Sequence, residues 1–339
     1  MKIPQIKTSF RPLDDILYQG YVPNVISTAM ELGLFDVLAE GAMNASALAV
    51  KLGTVENLTE AFANVLVALN LLEKDGADYS LTPMAEEFLV KSSPAYQGGM
   101  IAMALGFGQV MNQMHQILKN GPPKFDSEMW VVGVKALKSQ GQGTMGGSVQ
   151  EATRFITSLP EFPNLKRMCD LAGGHGFYTM ALLDENAQLR GTICDLPKGA
   201  ELAKDLIAEM GYADRIDTIG ADLETDDPIG EDYDLVFASH IIYGWKGHLE
   251  DIFKKINKAM VPGGVFVSNH MSMADDGCGP ASETMLELMT QLSGYPTHHL
   301  SESELRKALE ACGFGDFTVR SAEEGRQYRS LILATRKLR

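Results

Sequence analysis

Apolar positions change their period about halfway along this chain. From about Ile16 to Leu89 they recur at helical spacing between short polar connections, whereas from Leu165 short apolar runs alternate with helical stretches. In the first half, Val22 to Leu34 reads as an apolar helix ended by Gly33 and the Leu34-Phe35 pair. Asn44 can cap a second helix that runs through Lys51 and stops at Gly53. Asn57, with Glu60 three residues on, predicts a capping box for a third, whose apolar positions are Phe62, Val65, Leu66, Leu69 and Leu72. Asp75-Gly-Ala-Asp78 is a turn signal, and Tyr79-Ser-Leu-Thr82 a short strand after it. Three helices and a β-wing make a winged-helix-like arrangement. Between Pro94 and Leu159 helical patches are broken by glycine, with Met100, Met103, Phe107, Met111, Met114 and His115 in one stretch and Met145 in the expected loop 141–147. Clustered thioethers can line a pocket for a flat apolar ligand, and equally can be ordinary core.

The second half predicts strands at 165–170, 189–194, 216–219, 233–239 and 264–269 and helices at 177–184, 198–210, 248–260 and 301–312. Alternation of this kind gives a parallel sheet. Phe317-Thr-Val-Arg320 and Tyr328 to Thr335, joined by the charged stretch 322–326, can form a closing antiparallel hairpin. Ligands of such sheets sit beyond the carboxyl ends of the strands. Asp170, Asp195, Asp222, His240 and His270 are thereby expected around one cleft.

Candidate chemistry concentrates in Asp170-Leu-Ala-Gly-Gly-His-Gly176, read as strand, tight turn and helix. Gly173, Gly174 and Gly176 let the backbone turn sharply and lie against a ligand. A second strand ends in Asp195, at a distance suited to a ribose hydroxyl. Three readings follow. A nicotinamide dinucleotide would want a further glycine where Thr179 stands. The glycines could merely close a turn. An S-adenosylmethionine site opens with an acid at the strand end, and Asp170 supplies one.

Composition narrows the field. The 339 residues suffice for two domains and a sizeable core. The start of the chain lacks the apolar stretch of a signal peptide and no apolar run reaches spanning length, so a cytoplasmic protein without membrane insertion is expected. Four scattered cysteines lack metal spacing and read as reduced thiols, and the seven histidines are irregularly spaced, so no metal is expected. A net charge of −15 disfavours polyanionic partners. Residues 1–96 carry six Lys/Arg against twelve Asp/Glu, and none of the six falls between Lys51 and Lys74. A DNA reader needs phosphate contacts that these residues do not offer, so a partner surface, most simply a homodimer, is the expectation.

Across nearly its whole length the chain resembles the plant-type small-molecule O-methyltransferases, which include caffeate and acetylserotonin enzymes. The resemblance rests on Glu31-Leu-Gly-Leu-Phe-Asp36 and Tyr79-Ser-Leu-Thr-Pro-Met-Ala-Glu-Glu-Phe-Leu89 in front. Behind, it rests on the glycine turn, Cys194-Asp-Leu-Pro197, Ala221-Asp222, Trp245, Val261-Pro-Gly-Gly264 and Ala311-Cys-Gly-Phe314. It implies a class I α/β Rossmann-like catalytic domain with a seven-stranded, mostly parallel sheet, a helical winged-helix-like dimerisation domain, and S-adenosylmethionine. Expected boundaries are 1–96 for dimerisation, 97–160 for a helical linker contributing to the acceptor pocket, and 161–339 for catalysis. The same matching implies that Asp170, Gly173, Gly174, Gly176, Asp195, Leu196, Asp222, Leu223, Ser239 and Trp245 bind the donor. Met103, Phe107, Met111, Met145 and His270 are expected in the acceptor pocket.

The departures bear on mechanism. The family's base is a histidine two residues before the tryptophan; here that position is Tyr243, in His240-Ile-Ile-Tyr-Gly-Trp245. The family's glutamate matches His299. Some pigment methyltransferases, a carbon methyltransferase of a chlorin ring among them, resemble this chain in having tyrosine there. A phenol of pKa ~10 is a poor base at neutral pH, whereas a histidine near ~6.5 is suited to take a proton. The reading is that Tyr243 orients the acceptor and His299 takes the proton, with His240, His270 and His298 within consideration. The expected reaction is methyl transfer to a hydroxyl of a small aromatic or polycyclic metabolite. Transfer to carbon on a conjugated ring, and a non-catalytic donor-binding regulator, are the alternatives.

Overall fold

The computed structural model describes residues 3–106, 108–124, 133–225, 228–272, 277–279, 281–322 and 330–338. The chain divides into two compact units, Met1–Gly106 and Phe107–Arg339.

The first unit runs α1 (Arg11–Gln19), α2 (Val22–Glu31), α3 (Leu34–Ala39), β1 (Met43–Asn44), α4 (Ala45–Leu52), α5 (Glu56–Ala68), β2 (Leu72–Asp75), β3 (Asp78–Leu81), α6 (Pro83–Leu89) and α7 (Gly98–Gly106). Gly33, at φ +70°, takes the left-handed conformation that separates α2 from α3 and turns Leu34 and Phe35 into the core. Asn44 caps α4 through its side-chain oxygen, 2.9 Å from the Ala47 N–H. Asn57 does not cap α5. That helix already starts at Glu56, after Val55, and Asn57 lies in its first turn. No side chain caps this N-terminus; the Thr59 hydroxyl instead donates back to the Val55 carbonyl and meets the Thr54 hydroxyl at 2.7 Å, which ties down the first turn. Strands β2 and β3 pair across the expected turn, but Leu72, read as a position of the third helix, begins β2 because α5 ends at Ala68; β1 adds to β3, giving the order β1-β3-β2.

The second unit contains α8 (Gly108–Asn120), α9 (Val134–Met145), α10 (Ser148–Thr157), β4 (Arg167–Leu171), α11 (Phe177–Glu185), β5 (Arg190–Asp195), α12 (Pro197–Glu209), β6 (Ile216–Gly220) and β7 (Tyr233–Ser239). It continues with α13 (Leu249–Ala259), β8 (Met260–Met271), α14 (Ala281–Leu292), α15 (Glu302–Ala311), β9 (Phe314–Ala322) and β10 (Ser330–Lys337). The sheet order is β6-β5-β4-β7-β8-β10-β9, parallel from β6 through β8, with β10 antiparallel to both neighbours. This is the seven-stranded, mostly parallel class I methyltransferase fold. The middles of its central strands are buried and mostly apolar on both sides, as at 235–238 of β7 and 265–267 of β8, with polar residues gathered towards the strand ends.

Three local outcomes differ from the pattern. The loop expected at 141–147 is helical as far as Met145, because Gly141 lets α9 press on the Phe177 ring, where an added Cβ would lie 2.6 Å from Cε2. Strand β8 starts at Met260 rather than at 264; Gly263 at φ +80° absorbs the irregularity, and the register against β7 shifts between Tyr233 and Leu235. Helix α14 is the third, an element the apolar pattern did not disclose. Much of the expected 322–326 connection lies outside the described residues.

Candidate active site

Two groups of side chains meet the carboxyl edge of the sheet. The first is built on backbone geometry. Strand β4 ends buried at Leu171, and the chain reverses through Ala172 (φ +52°), Gly174 (φ +45°) and Gly176 (φ +72°) before α11 begins. The Gly176 N–H closes the turn on the Gly173 carbonyl at 2.8 Å. A Cβ at Gly173 would fall 2.7 Å from the Asp170 Cγ, and one at Gly176 would fall 2.6 Å from the Ile193 Cδ1. The turn is therefore closed to side chains from below.

Asp170 lies beneath the turn, 1 % exposed, and accepts a hydrogen bond from the Thr179 hydroxyl at 2.8 Å. Burial pushes its carboxyl up to about 7, against the opposing effect of that hydrogen bond. Asp195, at the end of β5, accepts from the Gly174 N–H at 3.0 Å on one oxygen and from the Leu196 N–H at 2.8 Å on the other. Burial raises this carboxyl too, and the two N–H donors act against it. Each Asp195 oxygen keeps a lone pair for a ligand hydroxyl. Gly199 makes room for the carboxylate, since a Cβ there would run into Oδ1. Further along the edge, Asp222 accepts from the Glu224 N–H at 2.9 Å, and Leu223 and Trp245 are buried. Ser239 accepts from the Asn269 amide at 3.1 Å. Leu137 of α9 lies over the turn, its Cδ1 3.3 Å from where a Cβ on Gly174 would stand, a covering position that the residue pattern did not announce.

The second group is built from side chains of β7, β8, α14 and the segment before α15. Tyr243 sits in a 3₁₀ turn, Ile242–Trp245, and is fully buried. Its hydroxyl accepts from the Met271 N–H and lies within hydrogen-bonding distance of the His240 Nδ1, at 3.1 Å. Burial drives this phenol well above its usual pKa. The expected part of Tyr243 in orienting an acceptor is narrowed by these two contacts, which engage the hydroxyl inside the protein and leave it one further hydrogen-bonding position. His240 stands at φ +56° with its N–H on the Asn269 carbonyl at 2.8 Å. His270 is fully buried, its Nδ1 3.1 Å from the Ser268 hydroxyl, and burial lowers it to about 3, helped by the nearby His240 and His299. Among the described residues, neither His270 Nε2 nor Asn269 Oδ1 has a hydrogen-bond partner.

His299 is held by its backbone: its N–H donates to the Thr297 hydroxyl at 2.9 Å and its carbonyl accepts from Lys246 Nζ at 3.0 Å. The adjacent His298 is more elaborately placed. Its ring lies edge-on to Tyr243 with centroids 4.9 Å apart and 5.0 Å from Tyr295. Its Nδ1 is 2.5 Å from the Thr290 hydroxyl, and its main-chain N–H donates to Glu287 Oε2 at 2.7 Å. Met271, Ser272, Glu283, Leu286, Glu287 and His298 line a small cleft here. Glu287, Thr290 and Thr297 were missed from sequence; they occupy the unanticipated α14 and its following segment, and no motif marks them.

Of the expected pocket residues, Met103 belongs to the first unit, while Met111, Met145 and His270 belong to the second. Helix α8, which carries Met111, packs against α14, and Met145 packs against the core beside α11. Phe107 lies outside the described residues. Among the described residues no three His, Cys, Asp or Glu side chains converge on a metal position, and no helix is long and apolar enough to cross a membrane.

Comparison with known proteins bears directly on this geometry. Residues 15–91 match the O-methyltransferase dimerisation domain, and residues 138–315 match the O-methyltransferase domain. A 3-hydroxy-5-methyl-1-naphthoate 3-O-methyltransferase of Streptomyces sahachiroi is 28 % identical over 321 residues, spanning 92 % of each chain. An N,N-dimethyltransferase of Streptomyces rimosus is 27 % identical and spans 88 % of each. The crystal structure of human N-acetylserotonin methyltransferase in complex with S-adenosylmethionine superposes with a TM-score of 0.79, at 21 % identity and full coverage of both chains. The glycine cradle and twin-anchored acid fit that donor, and with the second match covering half of its length, the chain belongs to the S-adenosylmethionine-dependent O-methyltransferase family.

Proposed function

We propose that this protein methylates a hydroxyl oxygen of a small aromatic or polycyclic metabolite, working as a homodimer. One observation carries the donor side: the Asp195 carboxylate, fixed by the Gly174 and Leu196 N–H groups beside a turn that excludes side chains, is preset to accept from ribose hydroxyls. Asp170, Gly173, Gly174 and Gly176 shape the floor of the donor site, Leu196, Asp222, Leu223 and Trp245 its adenine side, and Ser239 its rim. The bound donor supplies a methyl group on a sulfonium, which is already a reactive electrophile.

The protein's share is then positioning and proton handling. An acceptor oxygen must be aligned with the methyl carbon, and its proton must leave. Tyr243, neutral and buried, acts as a rigid wall that holds His240; the proton passes to an imidazole of the surrounding group, which His270, His298 and His299 share with it. Methionine and leucine at the second edge suit an apolar ring, and the naphthoate specificity of a relative over 92 % of both chains supports an aromatic acceptor. The dimer rests on the match of residues 15–91 to a dimerisation domain.

Titration calorimetry with S-adenosylmethionine and labelled-methyl transfer to hydroxynaphthoates test the reading. Donor binding with transfer to oxygen, located by fragment mass spectrometry, is expected. Heat from nicotinamide nucleotides without any from S-adenosylmethionine would overturn it.

A further inference from the structure

Two imidazoles of the second edge have their ring nitrogens treated differently, His298 and the fully buried His270, and of the two it is His298 that lines the cleft. Thr290 takes the His298 Nδ1 at 2.5 Å, while among the described residues Nε2 has no hydrogen-bond partner, and the ring lines the cleft with Met271, Ser272 and Leu286. Glu287 holds the segment that carries the ring. Its Oε2 accepts the His298 N–H at 2.7 Å and its Oε1 accepts the Thr297 hydroxyl at 2.7 Å and the Gln291 amide at 2.8 Å. Tyr243 and Tyr295 fix the plane of the ring from two sides.

Resting on the methyl-transfer reading, we infer that His298 is the proton acceptor of the reaction, with Thr290 and Glu287 as its positioning residues. The acceptor oxygen forms its bond to the methyl carbon as the carbon–sulfur bond breaks and its electron pair returns to sulfur. The hydroxyl proton goes to His298 Nε2. For that, Nδ1 must carry the other proton and donate it to Thr290 Oγ1, the tautomer that leaves the Nε2 lone pair open to the cleft. The resulting imidazolium is stabilised by the Glu287 carboxylate. This role differs from the one expected of His299, whose main-chain groups, by contrast, are what the neighbouring side chains Thr297 and Lys246 hold.

The groups around His298 are Glu283 and Glu287 from α14, Tyr243 with His240 behind it, His270 from β8, and Tyr295 and His299 from its own segment. Burial lowers the His298 imidazole and the Glu287 charge works against that, leaving it neutral at physiological pH. Turnover then rises with pH through a limb below about 6.5.

Two measurements test the inference on the full-length protein. In ¹⁵N-histidine spectra of the donor-free wild type, His298 should show a protonated Nδ1 and a bare Nε2 at pH 7.5. A protonated Nε2 overturns the proposal, and this readout needs no turnover. With S-adenosylmethionine and 3-hydroxy-1-naphthoate as probe, His298→Ala and His298→Gln should lose about 10²-fold or more in kcat. Glu287→Gln should lose about tenfold and move the acidic limb to lower pH. Thr290→Val should lose about tenfold, and Thr290→Ser should restore the rate. All variants should keep wild-type donor affinity by calorimetry, which separates loss of the base from misfolding. Two His298 variants within twofold of wild type, with an unmoved pH profile, overturn the proposal. A wild type that takes up no donor would instead overturn the methyl-transfer reading while leaving the tautomer measurement intact.

Discussion

The two ends of the sheet's carboxyl edge hold their functional groups by different means. At the β4–β5 end, main-chain atoms do the holding: positive-φ residues shape the turn, and two N–H groups fix Asp195. At the β7–β8 end, side chains hold one another: Tyr243 to His240, Thr290 to His298, Glu287 to Thr297. A backbone-built site tolerates few substitutions and serves one invariant ligand. A site assembled from side chains can be rebuilt residue by residue, as suits an acceptor that varies among relatives. Tyr243, at the position where the sequence resemblance implies a base, falls in the second kind of site.

The sharpest way to break this comparison is at Asp195. Replacing it with Ala removes charged hydrogen-bond acceptors worth about 1.5–3 kcal/mol each, so S-adenosylmethionine affinity should fall by about 100-fold or more in calorimetry. Wild-type affinity in that variant would show that the first end is no donor site.

Asp170 gives the next largest effect, through pH. Its folded pKa of about 7 lies above the unfolded value near 3.8. Below about pH 4 both states hold the proton; between about 4 and 7 only the folded state does. Asp170 therefore contributes stability at low pH that is lost as pH rises through 7. His270, lowered to about 3, has the opposite sign: its contribution is present above about 6.5 and is lost as pH falls. Chemical denaturation of the donor-free protein should show Asp170→Asn gaining on the order of a few kcal/mol relative to wild type between pH 5 and 8.

Gly176→Val should cost about 2–3 kcal/mol, since it combines a left-handed backbone with a collision against Ile193. Differential scanning calorimetry would register it as a drop of several degrees in Tm. Tyr243→Phe should cost least, about 1–2 kcal/mol, by leaving the Met271 N–H unsatisfied. Donor affinity should not change. Complete loss of turnover in that variant would return the tyrosine to the chemistry and blunt the contrast between the two ends.

The same contrast explains what could be read in advance. Strand β7 was legible because a buried parallel strand carries a nearly continuous apolar run, and the turn after β4 was legible because its glycines lie within four residues of one another. The cap of α5 was misjudged: Asn57 and Glu60 satisfy the pattern, yet the helix starts two residues after Thr54, and the Thr54–Thr59 contact secures its first turn instead. The second end was least legible. His240, His270, Glu287 and His298 come from four segments spread over nearly sixty residues, and only the sheet register and α14 bring them together. Nothing local to Glu287 distinguishes it from a surface glutamate.

The Asp195 carboxylate ties the tip of one strand to the bend after another without any ligand. If the proposed donor site is right, a nucleoside arriving here meets hydrogen-bonding groups already immobilised, so little chain ordering is charged against its affinity. Uptake should then be fast and nearly free of structural relaxation, with free and loaded protein sharing one shape at this corner. Selectivity, by contrast, has to be exercised where imidazoles and thioethers can still rearrange around an incoming ring.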